Sequence, residues 1–183
     1  LLADLYFVYS AMEEEIEKLC ENSHPIISKI GFKELFRKKK LEQDLSFYFG
    51  SNWSELVKPS KPAVEYEARI REIAKNKPEL LIGHHYSRYI GDLSGGQLLK
   101  NITKKAMNLN GDDGLRFYIF EEINDEKEFK NKYRNTLDNL PIDQNIADSI
   151  IEEANRSFKY NMDIFKELEG NLIAAIGKVL FRF

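Results

Sequence analysis

Apolar residues return every three or four positions along nearly the whole chain, and that period admits little but helices. Leu2, Leu5, Tyr9, Met12, Ile16 and Leu19 set a first helix that ends before Asn22 to Pro25. Leu35 to Tyr48 predicts a second, closed by Gly50-Ser51-Asn52, and Pro62 opens a third that runs to about Lys75. Pro78 suits the first turn of a fourth helix, unusually long, which reaches about Asn108 before Gly111 stops it. Asn124 or Asp125 caps a fifth, with Glu128 placed to complete a capping box. Asp143 caps a sixth, with Gly170 as its C-cap. Leu115 to Ile123 is the one strand-like stretch, and its aromatic neighbours make it a packed loop. With no repeat, linker or low-complexity tract, the expectation is a single all-α domain, a helical bundle.

Composition narrows what such a bundle does. The 183 residues are enough to bury a substantial core. A net charge of −3 argues against a nucleic-acid binder. The lone Cys20 has no internal disulfide partner, which favours a reducing compartment. No apolar run reaches the ~20 residues of a membrane helix. The nearest, Leu172 to Phe183, is short and interrupted by Lys178 and Arg182.

The chemistry concentrates in the fourth helix, in Gly83-His84-His85-Tyr86-Ser87-Arg88-Tyr89-Ile90-Gly91-Asp92-Leu93-Ser94-Gly95-Gly96-Gln97. Three glycines fall between positions 91 and 96, each costing roughly 1 kcal/mol relative to alanine inside a helix. Gly91 and Gly95 are four apart and share a face. That face serves either close helix–helix packing or a flat ligand lying directly on backbone. Asp92 has two readings as well: a carboxylate that orders water over such a ligand, or a helix-surface ion pair with Arg88, four residues earlier.

The run from Tyr86 to Gln97 resembles the signature of haem oxygenases. Tyr6 to Lys18, Leu41-Glu42-Gln43-Asp44-Leu45 and Phe158 to Leu168 resemble the same family in the same order, so the likeness spans essentially the whole chain. Tyr6-Phe7-Val8-Tyr9-Ser10-Ala11-Met12 and Leu140-Pro141-Ile142-Asp143-Gln144 are similar to the ferredoxin-driven type of photosynthetic cells. The resemblance implies haem held between a proximal helix, which supplies an axial histidine, and a kinked distal helix. It implies oxidative opening of the ring to biliverdin, carbon monoxide and iron.

The resemblance also implies individual roles. Gly91 and Gly95 let the distal backbone approach haem, and Ser94 lines the same surface. Asp92 orients the water that delivers a proton to the reacting oxygen, with Tyr9, Arg88 and Asn161 in its hydrogen-bond network. Phe158 and Phe165 wall the haem. Lys130 and Arg134, four apart on the fifth helix, hold the propionates, near Tyr86. Read without the resemblance, Tyr9 and the phenylalanines are core, and Lys130 belongs to a solvated face with Glu126 as partner. Lys100, Lys104 and Lys105 form a basic patch for ferredoxin or another acidic reductant, and Arg37 to Lys40 form a second basic run.

One expected part is missing from the chain. The axial histidine is expected on a helix upstream of Leu1, so that residues 1–183 form a haem oxygenase domain lacking its proximal helix. The three histidines do not replace it: His24 lies in a loop, His84 matches a non-ligand position, and His85 stands where the family often has a small residue. The expected protein is a monomer of the plastid or cytoplasm, with neither nucleic acid nor membrane as partner. A non-catalytic haem carrier is the alternative. A di-iron bundle is rejected because the only Glu-x-x-His triplet, Glu21 to His24, runs straight into Pro25. A thiamin-degrading enzyme on a similar fold would need a reactive cysteine in a central cleft, a poor match for Cys20.

Overall fold

A computed structural model describes residues 1–167, all helix, turn and loop without a strand. Helix α1, Leu2–Glu21, buries Leu5, Val8, Tyr9, Met12 and Ile16, the apolar stripe of the sequence. It packs against α3 (Lys38–Phe49) and α5 (Lys61–Asn76). Short helices α2 (Ile27–Ile30) and α4 (Trp53–Leu56) fill the connections and were not anticipated; four residues are too few for a period to show.

The second expected helix starts later than Leu35. Lys33–Leu35 form a 3-10 turn, and α3 begins only after Arg37. The Glu13 carboxylate, brought from α1, accepts the backbone N–H groups of Arg37 and of Lys38, the latter at 3.1 Å. Those amides are unpaired donors of the first turn of α3, so a distant side chain supplies the cap. Gly50 ends α3 at φ +82°, a conformation that favours glycine.

Local side-chain caps form elsewhere, at Asp125 and Asp143 as expected and at Ser60 without being anticipated. Ser60 accepts from Ala63 N at 3.3 Å with Pro62 in the first turn of α5. Asp125 accepts from Lys127 N and Glu128 N at the start of α8, Glu126–Asp138. Asp143 accepts from Ile146 N at the start of α9, Gln144–Lys166. The expected C-cap Gly170 and the apolar tail lie outside the described residues.

The long fourth helix is a composite rod. It opens with a 3-10 turn at Pro78–Leu80 and continues as α6 (Leu81–His85), a π turn (Tyr86–Ile90) and α7 (Gly91–Ala106). The expected kink takes the form of this π turn, which sets α7 in a different phase from α6. The rod ends at Ala106, and Asn108 at φ 51° rather than Gly111 takes the left-handed conformation that follows. Gly83 marks the close approach of α6 to α9: a Cβ there would stand 2.7 Å from Ala154 N and 2.8 Å from Ile150 O. The loop after the rod packs inward through Leu115 and Phe117, both buried, with a 3-10 turn at Arg116–Tyr118.

Candidate active site

Four of the expected residues meet beside the π turn. Tyr9 donates its hydroxyl hydrogen to Asp92 Oδ2. Arg88 donates from Nε to the Tyr9 oxygen at 3.1 Å and from Nη1 to Asn161 Oδ1. Its Nη2 also stands 3.8 Å from Asp92 Oδ1, so the helical ion pair and the network coexist. The cluster draws on α1, the π turn, α7 and α9, and its closest pairing spans 83 positions.

Burial shapes its electrostatics. Desolvation pushes the Asp92 carboxyl above its usual range, and Arg88 and the Tyr9 hydroxyl pull it back. The Tyr9 phenol, fully buried, is held well above its ordinary value by desolvation and remains a donor. Burial opposes the charge on Arg88, but Tyr9 and Asp92 outweigh it and hold the guanidinium charged. A neutral donor and a fixed cation therefore keep the Asp92 carboxylate oriented at the first turn of α7. Its side chain retains 15% exposure, enough for one edge to meet solvent or a ligand.

The two glycines beside it face open space. Among the described residues, a Cβ added at Gly91 or Gly95 would meet nothing within 4 Å, and one at Gly96 only Tyr118 at 3.5 Å. Helix packing therefore does not account for Gly91 and Gly95, whereas it does account for Gly83. Large apolar side chains stand exposed among the described residues: Phe158 and Met162, one turn apart on α9, are 53% and 57% exposed, and Tyr86 is 39% exposed. Phe165 is half-buried.

The remaining expected residues are placed less decisively. Lys130 Nζ reaches Ser94 Oγ at 3.4 Å across to the rod, and also Glu126 at 3.5 Å along its own helix. Arg134 is exposed. Lys100 and Lys104 both approach Asp112, at 3.0 and 3.9 Å, while Lys105 is exposed.

Sequence reasoning missed three buried networks. Glu13 takes the hydroxyl of Tyr89 at 3.0 Å besides the α3 amides, and burial, countered by those bonds, raises its carboxyl to about 7. Around His84, Nε2 lies 2.9 Å from Glu153, which also accepts two bonds from Arg69. Nδ1 lies 3.2 Å from the Tyr66 hydroxyl, which pairs with Ser157 at 2.6 Å. The Ser87 hydroxyl in turn lies within hydrogen-bond distance of both Ser157 Oγ and the carbonyl of Gly83. His85 is buried without charge, its imidazole lowered to about 3 by desolvation. Its Nδ1 lies 2.7 Å from the Tyr133 hydroxyl, and Nε2 has no partner among the described residues, a deficit of roughly 1–3 kcal/mol. Among the described residues no group of three or more His, Cys, Asp or Glu is placed to hold a metal.

The family model described as heme oxygenase matches residues 1–167. The chain belongs to the haem oxygenase family. Heme oxygenase 1 of Nostoc sp. is 59% identical over 181 residues, covering 99% of this chain and 75% of the relative. Heme oxygenase 1 of Synechocystis sp. is 56% identical, covering 99% and 74%. The crystal structure of the Synechocystis enzyme in complex with heme superimposes with a TM-score of 0.89 at 56% identity, over 98% of this chain and 80% of that one. The heme oxygenase of Leptospira interrogans gives 0.87 at 42% identity, over 91% and 80%. This haem oxygenase therefore shares the single-domain all-helical fold of its relatives, and haem is the ligand of its family.

Proposed function

We propose that this haem oxygenase opens the haem ring to biliverdin, carbon monoxide and Fe2+, using dioxygen and electrons from ferredoxin. The observation that carries the reading is Asp92, held by Tyr9 and Arg88 beside two glycines whose Cβ positions are empty. A flat macrocycle fits a face bare of side chains, and the exposed Phe158 and Met162 offer it apolar contact. Haem supplies the iron at which dioxygen is activated.

The chain's own residues do the rest. Asp92 orders a water at the open face, and Tyr9, Arg88 and Asn161 keep the carboxylate from turning away. That water delivers the proton where the ring is attacked, and a histidine acid at that point would favour a different outcome. Lys130 and Arg134, with Tyr86 and Ser94 nearby, hold the two propionates and so choose the ring edge presented to oxygen. Phe158 and Phe165 wall the haem. Lys105, with Lys100 and Lys104, receives the acidic reductant, and the enzyme acts as a monomer in the plastid or cytoplasm of a photosynthetic cell, in keeping with its cyanobacterial and algal relatives.

The test is Asp92→Ala in the complete protein with an electron donor. Haem affinity should stay within about threefold, because apolar contact dominates haem burial. Biliverdin formed per haem should fall by roughly a hundredfold, the scale of a lost proton-delivery group. A normal biliverdin yield would assign proton delivery elsewhere and favour a carrier in which Asp92 is only an ion-pair partner.

A further inference from the structure

Helix α8 carries both cations proposed to hold the propionates, yet few contacts tie it to the rod that carries Asp92. Its aromatic residues pack chiefly on the segment before α3: Phe32 meets Phe129 at 5.6 Å and Tyr133 at 5.5 Å between ring centroids, and Lys132 lies over the Phe32 ring. Toward the rod, Tyr133 is the contact. Its ring stacks on His85 at 5.5 Å and 10°, and its hydroxyl meets His85 Nδ1 at 2.7 Å. Tyr86 touches it more loosely, at 6.2 Å, and the Lys130–Ser94 contact is long and exposed.

His85 is a costly residue for packing alone. It is fully buried, and among the described residues Nε2 has no partner. A phenylalanine would fill the same space between Tyr89 and Tyr133 with no polar atom left over. What a phenylalanine cannot supply is a directional bond. Stacked rings tolerate sliding, whereas a hydrogen bond to a ring nitrogen in a rigid helix sets both distance and angle. Tyr133 lies one turn after Lys130 and directly before Arg134, so its position along the rod sets theirs.

We propose that the His85–Tyr133 hydrogen bond is a joint that fixes α8 in register with the distal rod, making His85 a positioning residue for the ring edge at which haem is opened. The bond joins two groups that both stay neutral, His85 without its charge and Tyr133 with its proton, since burial lowers the one and raises the other. The joint is therefore indifferent to pH near neutrality. It acts through Lys130 and Arg134 and so rests on their proposed hold on the propionates.

The experiment uses the complete protein, loaded with haem, in four forms: His85→Phe, Tyr133→Phe, the double variant, and Lys130→Ala with Arg134→Ala. Biliverdin isomers are separated by chromatography, and amide exchange along α8 is measured with and without haem. Each single variant should give mixed isomers, with α8 exchange about five- to tenfold faster and α1 and α5 unchanged. The double variant should be no worse than either single one, because both remove the same bond. A single isomer from His85→Phe, when the cation variant gives a mixture, overturns the joint. If the cation variant also yields one isomer, the propionate reading falls, and the joint then stands or falls on α8 exchange alone. Exchange unchanged in α8, or faster everywhere alike, overturns it.

Discussion

What a single methyl group would meet separates the glycines of the rod by purpose. At Gly83 the methyl would press on the backbone of α9, at 2.7 Å from Ala154 N. Gly83→Ala should therefore destabilise the fold by about 1–3 kcal/mol, the scale of overpacking against atoms that cannot step aside. At Gly91 and Gly95 it would meet nothing among the described residues. Gly91→Ala and Gly95→Ala should each stabilise the haem-free protein by about 0.5–1 kcal/mol, through helix propensity alone, while weakening haem binding tenfold or more. Urea unfolding and haem titration of the three variants check this. Equal destabilisation at all three sites would return Gly91 and Gly95 to a packing role.

Among the elements, the π turn between α6 and α7 decides where Arg88 and Asp92 point. A π turn breaks the regular i→i−4 pattern and survives where other partners take its polar groups. The Ser87 hydroxyl stands 2.8 Å from the Gly83 carbonyl and 2.6 Å from Ser157 Oγ, and Ser157 is backed by Tyr66, itself paired with His84. Ser157→Ala removes the centre of that chain without touching Asp92. Amide exchange across residues 86–90 should rise several-fold while α1 keeps its protection. The biliverdin yield should fall in parallel as Asp92 loses its fixed direction. Protection unchanged at the π turn would show that packing of α6 on α9 is enough to hold it.

The whole molecule feels its buried titratable groups through pH. His85 has a folded value of about 3 against 6.5 free, so the unfolded chain binds the extra proton between those values. Its stabilising contribution is complete above pH 6.5 and is lost as pH falls toward 3. Glu153, held at about 2 despite burial by Arg69 and His84, adds a loss in the same direction below 4.5. Glu13 runs the other way: at about 7 folded and 4.5 free, it makes the protein less stable as pH rises across that window. These three groups together contribute a nearly level stretch between pH 4.5 and 6.5 and a loss below it. Relative to the unmodified protein, His85→Phe should lose about 1 kcal/mol less per pH unit between 6.5 and 3, measured by urea unfolding. Parallel curves for the two proteins would mean that His85 is already charged in the fold. The same scale governs the reductant: added salt should slow ferredoxin-driven turnover, and charge reversal at Lys105 should slow it most, since Lys100 and Lys104 already face Asp112.

The amino-acid sequence by itself determined what is local. A helical stripe, a Ser, Asp or Pro at a helix start and a glycine at φ +82° act across a few residues, so α1, α5, α8, α9 and the end of α3 were legible from order alone. The segment from Tyr86 to Gln97 was legible too, because three glycines inside a helix stand out against the cost of keeping them there. Only the tertiary structure decided which glycine packs on a helix and which faces open space. It also decided that α3 takes its cap from Glu13, and that His84 and His85 serve separate networks on adjacent positions. Those hydrogen bonds join positions 24 to 69 residues apart, and a hydrogen bond between such positions leaves no period in the sequence. It exists only once the apolar stripes have brought the helices together.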